Sequence, residues 1–267
     1  MKSTLQRIQD IKRNGYSLDL GEALNDIFAS YKNIALLGGA VLLIVGIAGV
    51  VVIGGLAALF VGIGSFTQTM TDYSVMMLST TGLLANLVIS IVAAGLIAPV
   101  AAGIIQMAHN SSINEDFGFG TAFMHYKSVY FKELFLAAGI VALVGSGIGT
   151  IVQMVNITNP SMLLIFANGL LSALIQIFTL VMIPLIIFGN LKAVDAIKGS
   201  IILVSKNFWI ILLLAIIIVV FVCLGIIALC IGIIFTLPAM YSLQYIIYKK
   251  ALPIEETSEL DEIGQNF

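Results

Sequence analysis

Residues 207–248 read NFWIILLLAIIIVVFVCLGIIALCIGIIFTLPAMYSLQYIIY, without one charged side chain. A helix needs roughly 20 apolar residues to cross a bilayer. The run is therefore too long for one span and about right for two, 208–225 and 228–248. Three further uncharged runs lie upstream: Asn33 to Thr71, Tyr73 to Asn114 and Leu134 to Leu191. A charge in hydrocarbon costs about 2.5–3.5 kcal/mol even on the mild insertion scale, so a chain that keeps such runs free of charge is fitted to a bilayer. The remaining spans are expected near 34–60, 78–107, 132–156 and 162–189. The fold class is all-α, a polytopic membrane bundle of six spans.

Composition agrees. Hydrophobic residues make up 60 % of the chain and charged ones 10 %, against about 25 % charged in soluble domains. All twelve Lys and Arg fall in four segments that six spans place on one side: the N-terminal 33 residues, the loop with Lys127 and Lys132, the loop with Lys192, Lys198 and Lys206, and Lys249 and Lys250. Loops on the other side carry no positive charge, and Asp72 is their one acid. The positive-inside rule then puts both termini in the cytoplasm. The polar start lacks an apolar signal core, so the first span would serve as the insertion signal. Residues 1–19 are expected as a cytoplasmic tail, 20–250 as the membrane domain and 251–267 as a disordered acidic tail.

Ile34 to Phe66 would make a helix of about 50 Å, well beyond about 30 Å of hydrocarbon. Gly54 and Gly55 offer a place to break, and 61–77 is expected as an outer loop or surface helix. Cys223 and Cys230 flank the last outer turn, as small apolar fillers or as a disulfide if that side is oxidising.

A pattern recurs before each pair of spans. Ala23 precedes Lys32 by 9 residues, Ala122 precedes Lys132 by 10 and Ala196 precedes Lys206 by 10. Each segment is amphipathic; in the first, Leu20, Leu24, Ile27, Phe28 and Tyr31 share a helical face. Such helices lie in the interface with Lys at the headgroups. Each pair also has one proline in its second helix, Pro99, Pro184 and Pro238, where the missing donor can kink it. The predicted unit is an interfacial helix and a hairpin of spans, built three times.

Ala98-Pro99-Val100-Ala101-Ala102-Gly103, followed by Gly118-Phe119-Gly120-Thr121-Ala122-Phe123, resembles the signature of a loose family of six-span prokaryotic integral membrane proteins of unknown function. Ala193 to Asn207, with Gly225 through Pro238 and Tyr248, is similar to that group's last hairpin. The group resembles the membrane domain of glycerophosphodiester phosphodiesterases. The resemblance implies architecture and the inner membrane of a prokaryote. It implies no phosphodiesterase, because the chain has no room for a soluble barrel and no His/Glu metal cluster.

Ser161, Asn168, Ser172, Gln176 and Thr179 fall within about 80° of one another over about 27 Å of the fourth span. Such a face must point into the bundle or a wet groove. It reads either as interhelical hydrogen bonding or as a polar solute groove. The second span has a small face, Ser79, Gly82, Asn86, Ser90 and Ala93, expected to pack toward it. Gly145 and Gly149 form GxxxG, which reads as helix packing; a phosphate loop would need a preceding strand. His109, His125, Glu115 and Asp116 share a loop, and two His without tight spacing are a weak metal or proton-relay signal. A carotene-oxygenase type of chemistry resembles a four-histidine iron site, which two histidines do not supply. Asn156-Ile-Thr158 matches a glycosylation pattern too near the membrane to be an acceptor.

The charge pattern suits anionic headgroups and is too sparse for nucleic acid. The sequence therefore predicts a non-enzymatic scaffold, assembly or regulatory component without cofactor, metal or catalytic residue. Its expected partners are membrane lipids and another membrane protein or a second copy of the chain. The alternative is a carrier of a small or lipidic solute along the fourth-span groove. A membrane enzyme built on the loop histidines comes third.

Overall fold

The computed structural model describes residues 3–61, 79–227 and 232–254. All regular structure among them is helical. In chain order the helices are α1 (Thr4–Asn14), α2 (Leu20–Val61), α3 (Thr80–Ser112), α4 (Phe119–Phe123) with a 3-10 turn at Met124–Tyr126, α5 (Phe131–Thr158) and α6 (Met162–Phe178). They continue with α7 (Met182–Ile187), α8 (Ala193–Lys206), α9 (Phe208–Ile227), α10 (Gly232–Thr236) and α11 (Pro238–Ala251).

Among the described residues five segments are long and apolar enough to cross a membrane: Leu20–Val52, Thr80–Ser112, Phe131–Thr158, Met162–Ile187 and Phe208–Gly225. Each turns large apolar side chains outward, among them Val50, Val88, Ile151, Leu163 and Val220. Soluble monomers rarely expose contiguous apolar surface on this scale, whereas lipid covers it at no cost. The expected sixth span falls partly outside the described residues; its described part is α10 and α11.

Two sequence expectations change. The N-terminal segment is a packed helix rather than a tail. Ser3 caps α1 reciprocally with Gln6, and Ile8, Ile11 and Leu18 are buried in the common core, with α1 lying on α8. The first amphipathic segment and first span form one helix, α2, which runs through Gly54 and Gly55 without a break. A glycine costs a helix only about 1 kcal/mol, too little to stop one that lipid or protein supports. The outer segment expected at 61–77, apart from Val61, lies outside the described residues, as does the acidic tail beyond Ile254.

The repeat has physical counterparts. Ala23, Ala122 and Ala196 are each fully buried. Pro99, Pro184 and Pro238 are buried as well, and the segments that carry them, α3, α7 and α11, pack on one another. Their breaks differ. Pro99 sits inside the continuous α3. Pro184 follows a break at 179–181 that divides the fourth span, and Pro238 starts α11 after a turn at Leu237. Gly38 gives α2 room beside the Pro238 ring, and Gly39 beside the Ile234 carbonyl.

The residue after each repeat lysine reaches toward a different unit. Asn33 Nδ2 donates to Ser111 Oγ at 2.9 Å. Glu133 Oε2 accepts from the Ala193 backbone N–H at 2.8 Å. Asn207 Nδ2 donates to the Tyr16 carbonyl at 2.9 Å. Glu133 thus serves as the N-terminal cap of α8, where Lys192 offers no side-chain acceptor. Glu133→Ala is expected to lower stability by about 1 kcal/mol, the usual worth of a cap. Thermal unfolding in detergent checks it; an unchanged midpoint would show that the contact carries no stability.

Candidate functional site

The fourth-span face is built by α6, the break after it, and the third span α5. Ser161 caps α6, its Oγ accepting from Leu164 N–H at 3.4 Å. Thr179 Oγ1 donates back to the Ile175 carbonyl at 2.8 Å, so this hydroxyl is satisfied at the helix end. Asn168 faces Gly149, where a Cβ would stand 3.8 Å from Asn168 Nδ2. Asn168 Oδ1 is buried and unpartnered among the described residues. Ser172 and Gln176 line a cavity of about 340 Å³ against Gly145 and Ser146. Gln176 also lines a second cavity, of about 510 Å³, on the other side of α6.

The polar face therefore meets the third span, not the second. α3 packs instead on α5, with Gly95 against the Phe135 ring and Gly139 against Ile91. Asn86 is exposed and Ser90 half-buried, and neither lines the two cavities beside Gln176.

Two of the contacts between successive units are closed by glycine: α3 against α5 at Gly95 and Gly139, and α2 against α10 and α11 at Gly38 and Gly39. The second and third units meet closely where α8 crosses α7, a Cβ at Gly199 standing 3.2 Å from Leu185 Cδ1, but between α6 and α9 no described glycine makes such an approach, and Gly169 has open space beside it. The 510 Å³ cavity lies in this seam. Its walls include Ala173, Ala215 and Val219, and Gln176, Thr179 and Gln244 are its polar groups. The sequence shows small residues there but not whether a neighbour fills them. An apolar cavity of about 470 Å³ lies between α5, α6 and α8.

At the charged end the three proline-bearing units converge in a cluster of rings. His109 of α3 lies 4.9 Å from Phe188, just after α7, and 5.8 Å from Tyr245 of α11, centroid to centroid. The Tyr245 hydroxyl is 2.6 Å from Ser112 Oγ and 3.2 Å from His109 Nδ1. Lys249 Nζ donates to Ser112 Oγ at 3.4 Å. Lys250 instead pairs with Asp26 at 2.8 Å and Glu22 at 3.3 Å. The hydrogen bond to Asp26 is the main cause that raises its pKa. Arg7 donates to the Pro253 carbonyl at 2.9 Å. The expectation of a loop for His109 is corrected: it lies in the last turn of α3, and its ring partners, Phe188 after α7 and Tyr245 of α11, are far off in sequence and leave no local signal.

His125 is separate from this cluster. It is 2 % exposed, with Nδ1 3.4 Å from Ser128 Oγ and Nε2 buried without a partner among the described residues. Burial lowers its pKa below the ordinary value, which favours the neutral ring. The unfolded chain therefore binds this proton first as pH falls, so stability is full above about pH 6.5 and declines below it. His125→Gln is expected to remove that part of the acid sensitivity; equal pH slopes of wild type and variant between pH 7 and 5 would contradict it. Among the described residues no group of three His, Cys, Asp or Glu is placed to hold a metal ion. Cys223 is exposed on α9, and Cys230 lies outside the described residues.

No family model, curated protein or solved structure matches the chain. The fold and the arrangement of its side chains thus define a class, a protein whose regular structure is helical throughout the described residues, with five segments long and apolar enough to cross a membrane, and the functional reading rests on that arrangement alone.

Proposed function

We propose that this is a six-span protein of a prokaryotic inner membrane, with both termini cytoplasmic, that works without catalysis as a scaffold, assembly or regulatory component. Its six spans form three hairpins, and the seam between α6 and α9 holds membrane lipid or a helix of another membrane protein. The supporting observation is that seam: a cavity of about 510 Å³ between α6 and α9, where no described glycine brings the two helices together. The charged end supports the same reading, because its ionisable groups tie distant segments together, Lys250 to Glu22 and Asp26, Glu133 to Ala193 and Arg7 to Pro253. The likeness to six-span prokaryotic membrane proteins supports the architecture and location.

Carriage of a lipidic solute is the second reading, favoured by Gln176, which lines cavities on both sides of the fourth span. Filling the seam tests the first reading. Ala173→Trp, at an exposed wall position, is expected to reduce the lipid and membrane protein that co-purify from native membranes, at unchanged folding. Undiminished co-purification would overturn it. Gln176→Leu separates the readings: a carrier loses solute movement, whereas a scaffold keeps its bound partners.

A further inference from the structure

A further cavity, of about 480 Å³, opens at the charged end between α2, α3 and α11. That size is within the usual range of ligand clefts, about 300–1,000 Å³. Its charged lining residues are Asp26, Lys249 and Lys250. Asp26 and Glu22 already neutralise Lys250. Among the described residues Lys249 touches no carboxylate; its contacts are the Ser112 hydroxyl at 3.4 Å and the Tyr245 ring face at 5.8 Å. Both described carboxylates at the cleft, Asp26 and Glu22, face Lys250, so Lys249 is the lining ammonium outside their ion pairs.

A hydroxyl donor stands beside it. Ser111 Oγ accepts from Asn33 Nδ2, which leaves its own proton to donate. Ser112 Oγ instead donates to the His109 carbonyl at 2.8 Å and accepts from Lys249, with the hydroxyl of the fully buried Tyr245 2.6 Å away, so it holds the ammonium in place. An ammonium held beside a hydroxyl donor matches the charge and acceptor oxygens of a phosphate group. Ala29, Ala108 and Ile246 supply an apolar wall for the rest of a ligand.

We propose that this cleft binds a phosphate group, with Lys249 as its counter-charge and Ser111 as hydroxyl donor. The phosphate belongs to a phospholipid headgroup or to a soluble phosphate. The proposal rests on the charged-end cleft and not on the α6–α9 seam, so the seam-filling variant leaves it intact.

The test uses the purified, delipidated full chain in detergent. Dioleoylphosphatidylglycerol and dioleoylglycerol are added in turn, and bound lipid is counted by native mass spectrometry. Inorganic phosphate is titrated separately and as a competitor. The phospholipid is expected to bind better than the neutral lipid. Lys249→Gln is expected to weaken binding at least about tenfold, the worth of one charge-assisted contact, and Ser111→Ala to weaken it less. Lys127→Gln, in a different loop, is expected to bind as wild type. Phospholipid binding that inorganic phosphate does not displace supports the headgroup source, and binding or displacement by inorganic phosphate supports the soluble one. Equal binding of the two lipids with no phosphate binding, or equal affinity in wild type, Lys249→Gln and Ser111→Ala, overturns the proposal.

Discussion

Gly103→Ala is expected to destabilise the protein by about 3 kcal/mol, the upper end of what overpacking costs. A Cβ at this position would stand 2.1 Å from the Ala122 carbonyl oxygen and 2.6 Å from its Cα. Those are backbone atoms of α4, so no rotamer change relieves the clash. Gly103 is also where the proline-bearing α3 meets the fully buried alanine of the second repeat. The substitution therefore pushes apart two units rather than one side chain. Gly145→Ala is the matched control, since nothing lies within 4 Å of the added methyl; it should leave stability unchanged or raise it by up to about 1 kcal/mol, the helix preference of alanine over glycine. Chemical denaturation in detergent gives both values. Equal stability of the two variants would show that α4 is not seated on α3 as described.

Ser200→Ala is expected to cost about 2 kcal/mol. The helix break before Pro184 leaves backbone groups without helical partners, as proline in a span requires. Ser200 Oγ answers two of them, donating to the Phe178 carbonyl at 2.8 Å and accepting from Val181 N–H at 3.2 Å. Ser200 is fully buried, so alanine would leave a donor and an acceptor dry and unpaired, and each such group costs about 1–3 kcal/mol. Ser205→Ala, whose hydroxyl only bonds back within its own helix, should be nearly neutral. A neutral Ser200→Ala would mean that the break finds other partners.

The sequence carried the long helices because a bilayer punishes charge, and the four uncharged runs coincide with the five long apolar segments and with α10 and α11. It also marked Ala23, Ala122, Ala196 and the three prolines, all of which are buried. Other features depend on how the helices turn toward one another. The fourth-span polar face could be drawn on a helical wheel, but whether Asn168 meets the second or the third span depends on bundle order, which spacing within one helix does not encode. The ring cluster of His109, Phe188 and Tyr245 joins residues from three units and has no local pattern. The N-terminal helix did have a signal: Ser3 and Gln6 form a capping box, followed by Ile8 and Ile11. In a short polar segment that signal was outweighed by charge. The pair Gly54 and Gly55 offers a place to break, yet α2 continues through it, because glycine keeps its backbone donor and only proline removes one.

The central claim is that the segments bearing every positive charge share the cytoplasmic side of the membrane. Single cysteines in a background with Cys223 and Cys230 replaced by serine test it, using a thiol reagent that does not cross membranes. Asp72→Cys should label in intact cells and Lys127→Cys only in inverted vesicles. Labelling of Lys127→Cys from outside, or of Asp72→Cys only from inside, would contradict the account.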